Sequence, residues 1–215
     1  MAKSRMWGIV SKDDNPINIV LFISRNKDNG SVEGFKERRM SFITKEPMES
    51  DILRGQFELF KTRGLPGEVC RMYYSVNDRD PQKIYTELLH YLIDNPDFNL
   101  VSIDSKLAGI AAKKECRNTK SKKWLFDFDI NDSIKLYEFI NDIGEIDSSV
   151  KTTWYPTPHG YAVITEKGFD TRTLLEKWGE DVSLKRDDLL LVKWFDEVGD
   201  LYDGYVNSSI FNGER

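Results

Sequence analysis

The stretch KKWLFDFDIND, residues 122–132, places two aspartates one residue apart at the end of an otherwise apolar run. Such a run tolerates charge poorly, so Asp127 and Asp129 need a physical reason to be there. Side chains on a β-strand alternate faces. Leu125, Asp127 and Asp129 therefore share one face, and Trp124, Phe126 and Phe128 form an aromatic row on the other, the core side. A rise of roughly 3.3 Å per residue sets the two carboxylates about 6–7 Å apart. At that spacing both reach one hard divalent cation, Mg2+ or Mn2+, or a pair of them. Mg2+ is commonly held by one or two carboxylates together with substrate phosphates. The same pattern also reads as a strand whose solvent face ends in Asp, followed by Asn131 and Asp132 capping a helix.

Phosphate needs donors, and several basic or amide side chains stand at suitable places. Arg71 leads a strand, Asn77 and Arg79 lie in the turn after it, and Lys83 opens the next helix. Lys185 and Arg186 precede the last long strand. Guanidinium and ammonium groups bind phosphate oxygens well, although Arg79 and Lys83 also fit an ordinary helix-entrance surface. The segment KKECRNTKSKK, 113–123, is rich in lysine with Arg117 and a single glutamate. It reads either as a solvated connection or as a phosphate-contacting segment.

The elements that must hold these residues follow from pattern. WGIV, INIVLFIS and RRMSFIT are strand-like, with NKDNGS as a loop or hairpin tip. ESDILRGQFELFKTRG predicts a short helix closed by Gly64. CRMYYSV is a strand. In the following segment Asp80 is a suitable N-cap and Pro81 a suitable first helical residue, and Ile84, Leu88 and Leu92 form one stripe. His90 falls on that helix as a surface or rim residue. KKWLFDFDI is expected as the central strand. A helix follows, capped by Asp132 or Ser133, with Gly144 beyond its end. SVKTTWYPT and GYAVIT are strands flanking PTPHG, and FDTRTLLEKWG is a helix capped by Asp170 and stopped at Gly179. DLLLVKWF is a buried final strand, and the weakly patterned tail 196–215 is expected to fray. Irregular alternation of strands and helices favours an α+β class.

The chain of 215 residues, 40% hydrophobic and 12% aromatic, supports a core. It reads as one domain: a β-rich part over 1–65, a motif-bearing core over 66–195 and a tail. A net charge of −5 argues against non-specific coating of duplex DNA while allowing a local basic channel. Cys70 and Cys116 are far apart and the chain has only 2 His, so zinc is not expected. No stretch reads as a signal peptide or membrane span, which predicts a reduced, cytoplasmic protein. No P-loop, dinucleotide fingerprint or nucleophile elbow is present.

The order LFDFD (125–129), TPHGYAVIT (157–165) and DLLLVKWF (188–195), with RMYYSVNDRDPQK upstream, resembles the archaeo-eukaryotic primase superfamily. The likeness is to its small primase-polymerase-type members of phages and mobile elements, and it spans roughly residues 66–195. It implies an RRM-like sheet, antiparallel or mixed, carrying the acids, packed with a smaller N-terminal αβ unit. It also implies metal-dependent nucleotidyl transfer in DNA replication or repair, on nucleoside triphosphates and single-stranded or primed DNA, with a helicase as a further partner. A phage-encoded protein of this kind would work in the host cytoplasm. Asp127 and Asp129 match the metal-binding acids; Thr157 and His159 match a small-x-His element that contacts nucleotide phosphate. Two positions depart from that pattern. The histidine of related-looking turns would fall at Ala162, and the third carboxylate would fall at Ser183, with Asp181, Asp187 and Asp188 only nearby. A catalytically silent nucleotide- or protein-binding module, and more weakly a metal-dependent nuclease, remain alternative readings.

Overall fold

The computed structural model describes residues 16–120 and 122–204, together with the backbone of 209–211. The strand expected at 7–10 lies outside the described residues. The first half holds β1 (Asn18–Ser24), β2 (Arg38–Thr44), α1 (Asp51–Thr62), β3 (Cys70–Ser75), α2 (Pro81–Asp94) and α3 (Ile103–Ala111). The second half holds β4 (Trp124–Phe128), α4 (Ser133–Ile146), β5 (Thr152–Thr157), β6 (Gly160–Thr165), α5 (Arg172–Trp178), β7 (Val182–Lys185), β8 (Leu189–Phe195), β9 (Leu201–Asp203) and β10 (Ser209–Phe211). The class is α+β, built on two five-stranded sheets ordered β2-β1-β3-β8-β9 and β10-β5-β6-β4-β7.

Alternation explains how the layers stack. In β1, Val20 and Phe22 face one way and Ile19 the other. Phe22 meets Phe57 of α1 at 5.2 Å between ring centroids, and Leu53, Phe57 and Phe60 recur at helical spacing to make the apolar stripe of α1. Ile17 and Ile19 pack instead against Ile84 of α2 and Leu107, Ala108 and Ile110 of α3. The second sheet covers the remaining width of the first: Leu125, Tyr155, Ala162 and Ile164 lie in one cluster with Leu190 and Val192. Its far face carries Phe126, Phe128 and Val163 against Leu136, Phe139 and Ile143 of α4 and Leu174 and Trp178 of α5. The aromatic row of β4 is thus a core face, and the acid-bearing face is no free surface either. It looks toward the other sheet.

Several expectations change. β4 is not central but second from an edge, between β6 and the short strand β7. The expected smaller N-terminal unit is a sheet of equal strand number, and it draws β3 and β8 from the 66–195 segment. The tail does not simply fray, because β9 pairs with β8 from Lys193 to Phe195. α4 continues through Gly144 to Ile146, and α5 starts one residue later than expected, with Thr171 at the cap position. Gly64 has no left-handed backbone; it lies against the Arg38–Glu68 ion pair, and a Cβ there would come within 2.2 Å of the Glu68 carboxylate and 2.3 Å of the Arg38 guanidinium, so these side-chain ends would have to shift.

Candidate functional site

Asp127 lies within β4, flanked in register by Ala162 on β6 and Ser183 on β7. The position suited to a third carboxylate is therefore beside Asp127, and a serine occupies it. Ala162, where the histidine would fall, is buried against the first sheet. Asp129 follows the strand, exposed, with its N–H donating to the Asp181 carbonyl at 2.9 Å. Asp132 does cap α4, accepting from the N–H groups of Ile134 and Lys135. That accounts for Asp132 alone. Among the described residues the carboxylates of Asp127 and Asp129 accept no hydrogen bond and form no ion pair.

Electrostatics adds to this. The half-buried Asp127 carboxyl is pushed above its ordinary value, first by burial and then by the charge of Asp129. Lys185, opposite Leu125 on the edge strand, pulls it back, and Asp188 pushes it up. Lys185 is exposed and has no ion pair among the described residues. A half-buried carboxylate beside a second one, both lacking protein donors, makes a place where positive charge is favoured.

His159 sits exposed in the turn between β5 and β6, after Thr157, which pairs with Gly160. The turn approaches the exit of β4 closely, because a Cβ at Gly160 would fall 2.1 Å from the Phe128 carbonyl oxygen. His159 and Asp129 therefore lie at the same end of the sheet.

Three of the other expected phosphate donors, Arg71, Asn77 and Arg79, are engaged within the protein. Arg71, only 8% exposed, makes paired 2.9 Å hydrogen bonds to both oxygens of Asp28, and Arg25 shares that carboxylate. Asn77 is fully buried; its amide donates to the Lys123 carbonyl and to Asp187, and its oxygen accepts from the Lys123 N–H at 2.8 Å. Arg79, 2% exposed, pairs with Asp187 at 2.8 Å, and Arg117 joins the same carboxylate at 2.7 Å. Burial alone would push Asp187 up, but the hydrogen bond and charge of Arg79, with those of Arg117, hold it below its ordinary value. Asp187 is thereby a structural anion, not a spare metal ligand.

No group of three or more His, Cys, Asp or Glu side chains among the described residues could hold a metal ion. The donor set fits a hard divalent ion bound through two carboxylates, with water and phosphate oxygens completing its shell. It does not fit a closed cage made by protein alone. No family model, curated protein or solved structure matches the chain. No helix among the described residues is long and apolar enough to cross a membrane.

Proposed function

We propose that the protein is a nucleotidyltransferase of the primase-polymerase type, using Mg2+ or Mn2+ at Asp127 and Asp129. The observation that carries this reading is the unpartnered acid pair at the end of β4, half-buried at Asp127 within the strand, exposed at Asp129 just after it, and near the cation of Lys185. Further support comes from the order of strands, since β4 lies between the strand that follows the His159 turn and the strand that carries Ser183. A divalent ion supplies charge neutralisation for a bound triphosphate and for the attacking oxygen. The chain's own contributions are to hold two carboxylates without competing donors, to offer Lys185 beside them, and to present His159 at the same end of the sheet.

Nucleotide incorporation on a primed single-stranded template, with either metal, tests the proposal. The Asp127→Ala/Asp129→Ala variant is expected to lose at least about 100-fold, the scale seen when a transition-state electrostatic contact is removed. Equal incorporation by the variant, or none by the wild type, sinks the enzymatic reading. Ser183 beside Asp127 favours a second one, binding of a metal–nucleotide without transfer. That reading predicts a Mn2+- and nucleotide-dependent rise in the wild-type Tm with no product.

A further inference from the structure

A second site lies at the opposite end of β4 from the acids. Residues 116–118, ahead of β4, are tied into the fold. Cys116 is buried in the α2–α3 cluster, the Cys116 carbonyl accepts from the Asp80 N–H, and the Asn118 N–H donates to the Asp78 carbonyl. Lys83 Nζ reaches the Arg117 carbonyl at 3.3 Å, fixing the start of α2 to the same segment. Between them opens a cleft of about 370 Å³, lined by Lys83, Lys114, Arg117 and Lys122, with Asn118 and one acid, Glu115. Lys114 and Lys122 form no ion pair among the described residues, and Arg117 Nε is buried without a hydrogen-bond partner.

Four cations and one acid surround this cleft; Arg117 is paired with Asp187 and Lys83 with Asp80, so Lys114 and Lys122 bring the charge that no ion pair among the described residues offsets. Since like charges held together raise the energy of the empty site, a polyanion is its natural occupant. No aromatic side chain lines the cleft, so a base finds no stacking platform, whereas phosphates find donors of several kinds. Lys122 and Asp127 are five residues apart along an extended segment, roughly 16 Å. A polynucleotide, unlike a single nucleotide, is long enough to span that distance.

We infer that this cleft binds the sugar-phosphate backbone of single-stranded nucleic acid, without reading its sequence. The inference rests on the proposed function for its choice of polymer, and the test separates the two. Fluorescence anisotropy of a labelled oligo(dT) 12-mer is measured in EDTA across a salt series. The comparison is between wild type, Lys114→Glu/Lys122→Glu, and Asp127→Ala/Asp129→Ala. Lys114 and Lys122 are both exposed and no hydrogen bond holds either side chain, so an unchanged Tm is expected for the first variant. That variant is expected to bind at least about 10-fold more weakly, with a salt slope reduced by about 1.4, two contacts at about 0.7 each on a single strand. The acid variant is expected to bind as tightly as the wild type.

Failure of nucleotide incorporation with this pattern intact removes the enzymatic reading and leaves the cleft standing. Wild-type affinity equal to that of the lysine variant overturns the cleft. So does a result in which only nucleoside triphosphate, and no oligonucleotide, is bound through Lys114 and Lys122.

Discussion

At the scale of single residues, the most informative group is Asp127. Its carboxyl is raised by burial and by Asp129, so the folded state holds its proton more tightly than the unfolded state does. By linkage, this group's contribution falls as pH rises from the ordinary value of 3.8 through the raised one. Metal-free protein near neutrality thus carries an uncompensated charge, and Asp127→Asn is expected to raise the Tm in EDTA at pH 7. The gain disappears below the ordinary aspartate range, where the wild type is neutral as well. Added Mn2+ reverses the ranking, stabilising the wild type and not the variant. Thermal melts at several pH values, with and without Mn2+, check this, and a variant less stable than wild type in EDTA would contradict it. The faces of Trp124 to Phe128 are readable in the sequence because alternation is local. The engagement of Arg71 and Arg79 is not, because their partners, Asp28 and Asp187, lie 43 and 108 positions away.

At the scale of elements, the β5–β6 turn and the exit of β4 are built as one piece. Gly160 leaves room for the Phe128 carbonyl and for the backbone of Ile130, at 2.1 and 3.0 Å from a would-be Cβ. Gly160→Ala must push β4 away just where Asp129 leaves the strand. Overpacking of this kind costs about 1–3 kcal/mol, and the variant should also lose Mn2+ stabilisation beyond what its lower Tm explains. Urea unfolding with and without Mn2+ separates the two effects; an unchanged Mn2+ increment would show that the turn does not set the acid geometry. Caps were legible, as Asp80, Pro81 and Asp132 demonstrate. β7 escaped notice because four residues, VSLK, give too short a pattern to distinguish from a loop. The surroundings of Gly64 are not legible either, since the Glu68 and Arg38 groups beside it meet only in the fold.

At the scale of the whole molecule, the chain builds β1 to β3 into one sheet and β4 to β7 into the other, returns with β8 and β9, and crosses again with β10. Most strands are legible in the sequence but their partition is not, since pairing between β3 and β8 spans more than a hundred residues and leaves no local trace. Asp187 sits on the crossover from β7 to β8. Its carboxylate ties Asn77 and Arg79 after β3 to Arg117 before β4, and Asn77 also grips Lys123 at the start of β4. Asp187→Ala leaves the guanidinium of Arg79 buried without its anion, while the more exposed Arg117 can turn to water. Stranding a buried charge costs about 3–5 kcal/mol, so a loss of that size is expected in urea unfolding at pH 7. Because the native Asp187 carboxyl is held below its ordinary value, its contribution is present above pH 3.8 and is lost as pH falls through the lowered value. Wild-type stability should therefore drop toward that of the variant in acid. A difference under about 1 kcal/mol at neutral pH would refute the clamp. If the two sheets are one cooperative unit, near-UV and far-UV signals of the variant shift together; two separated transitions would mean that the crossover joins sheets able to unfold independently.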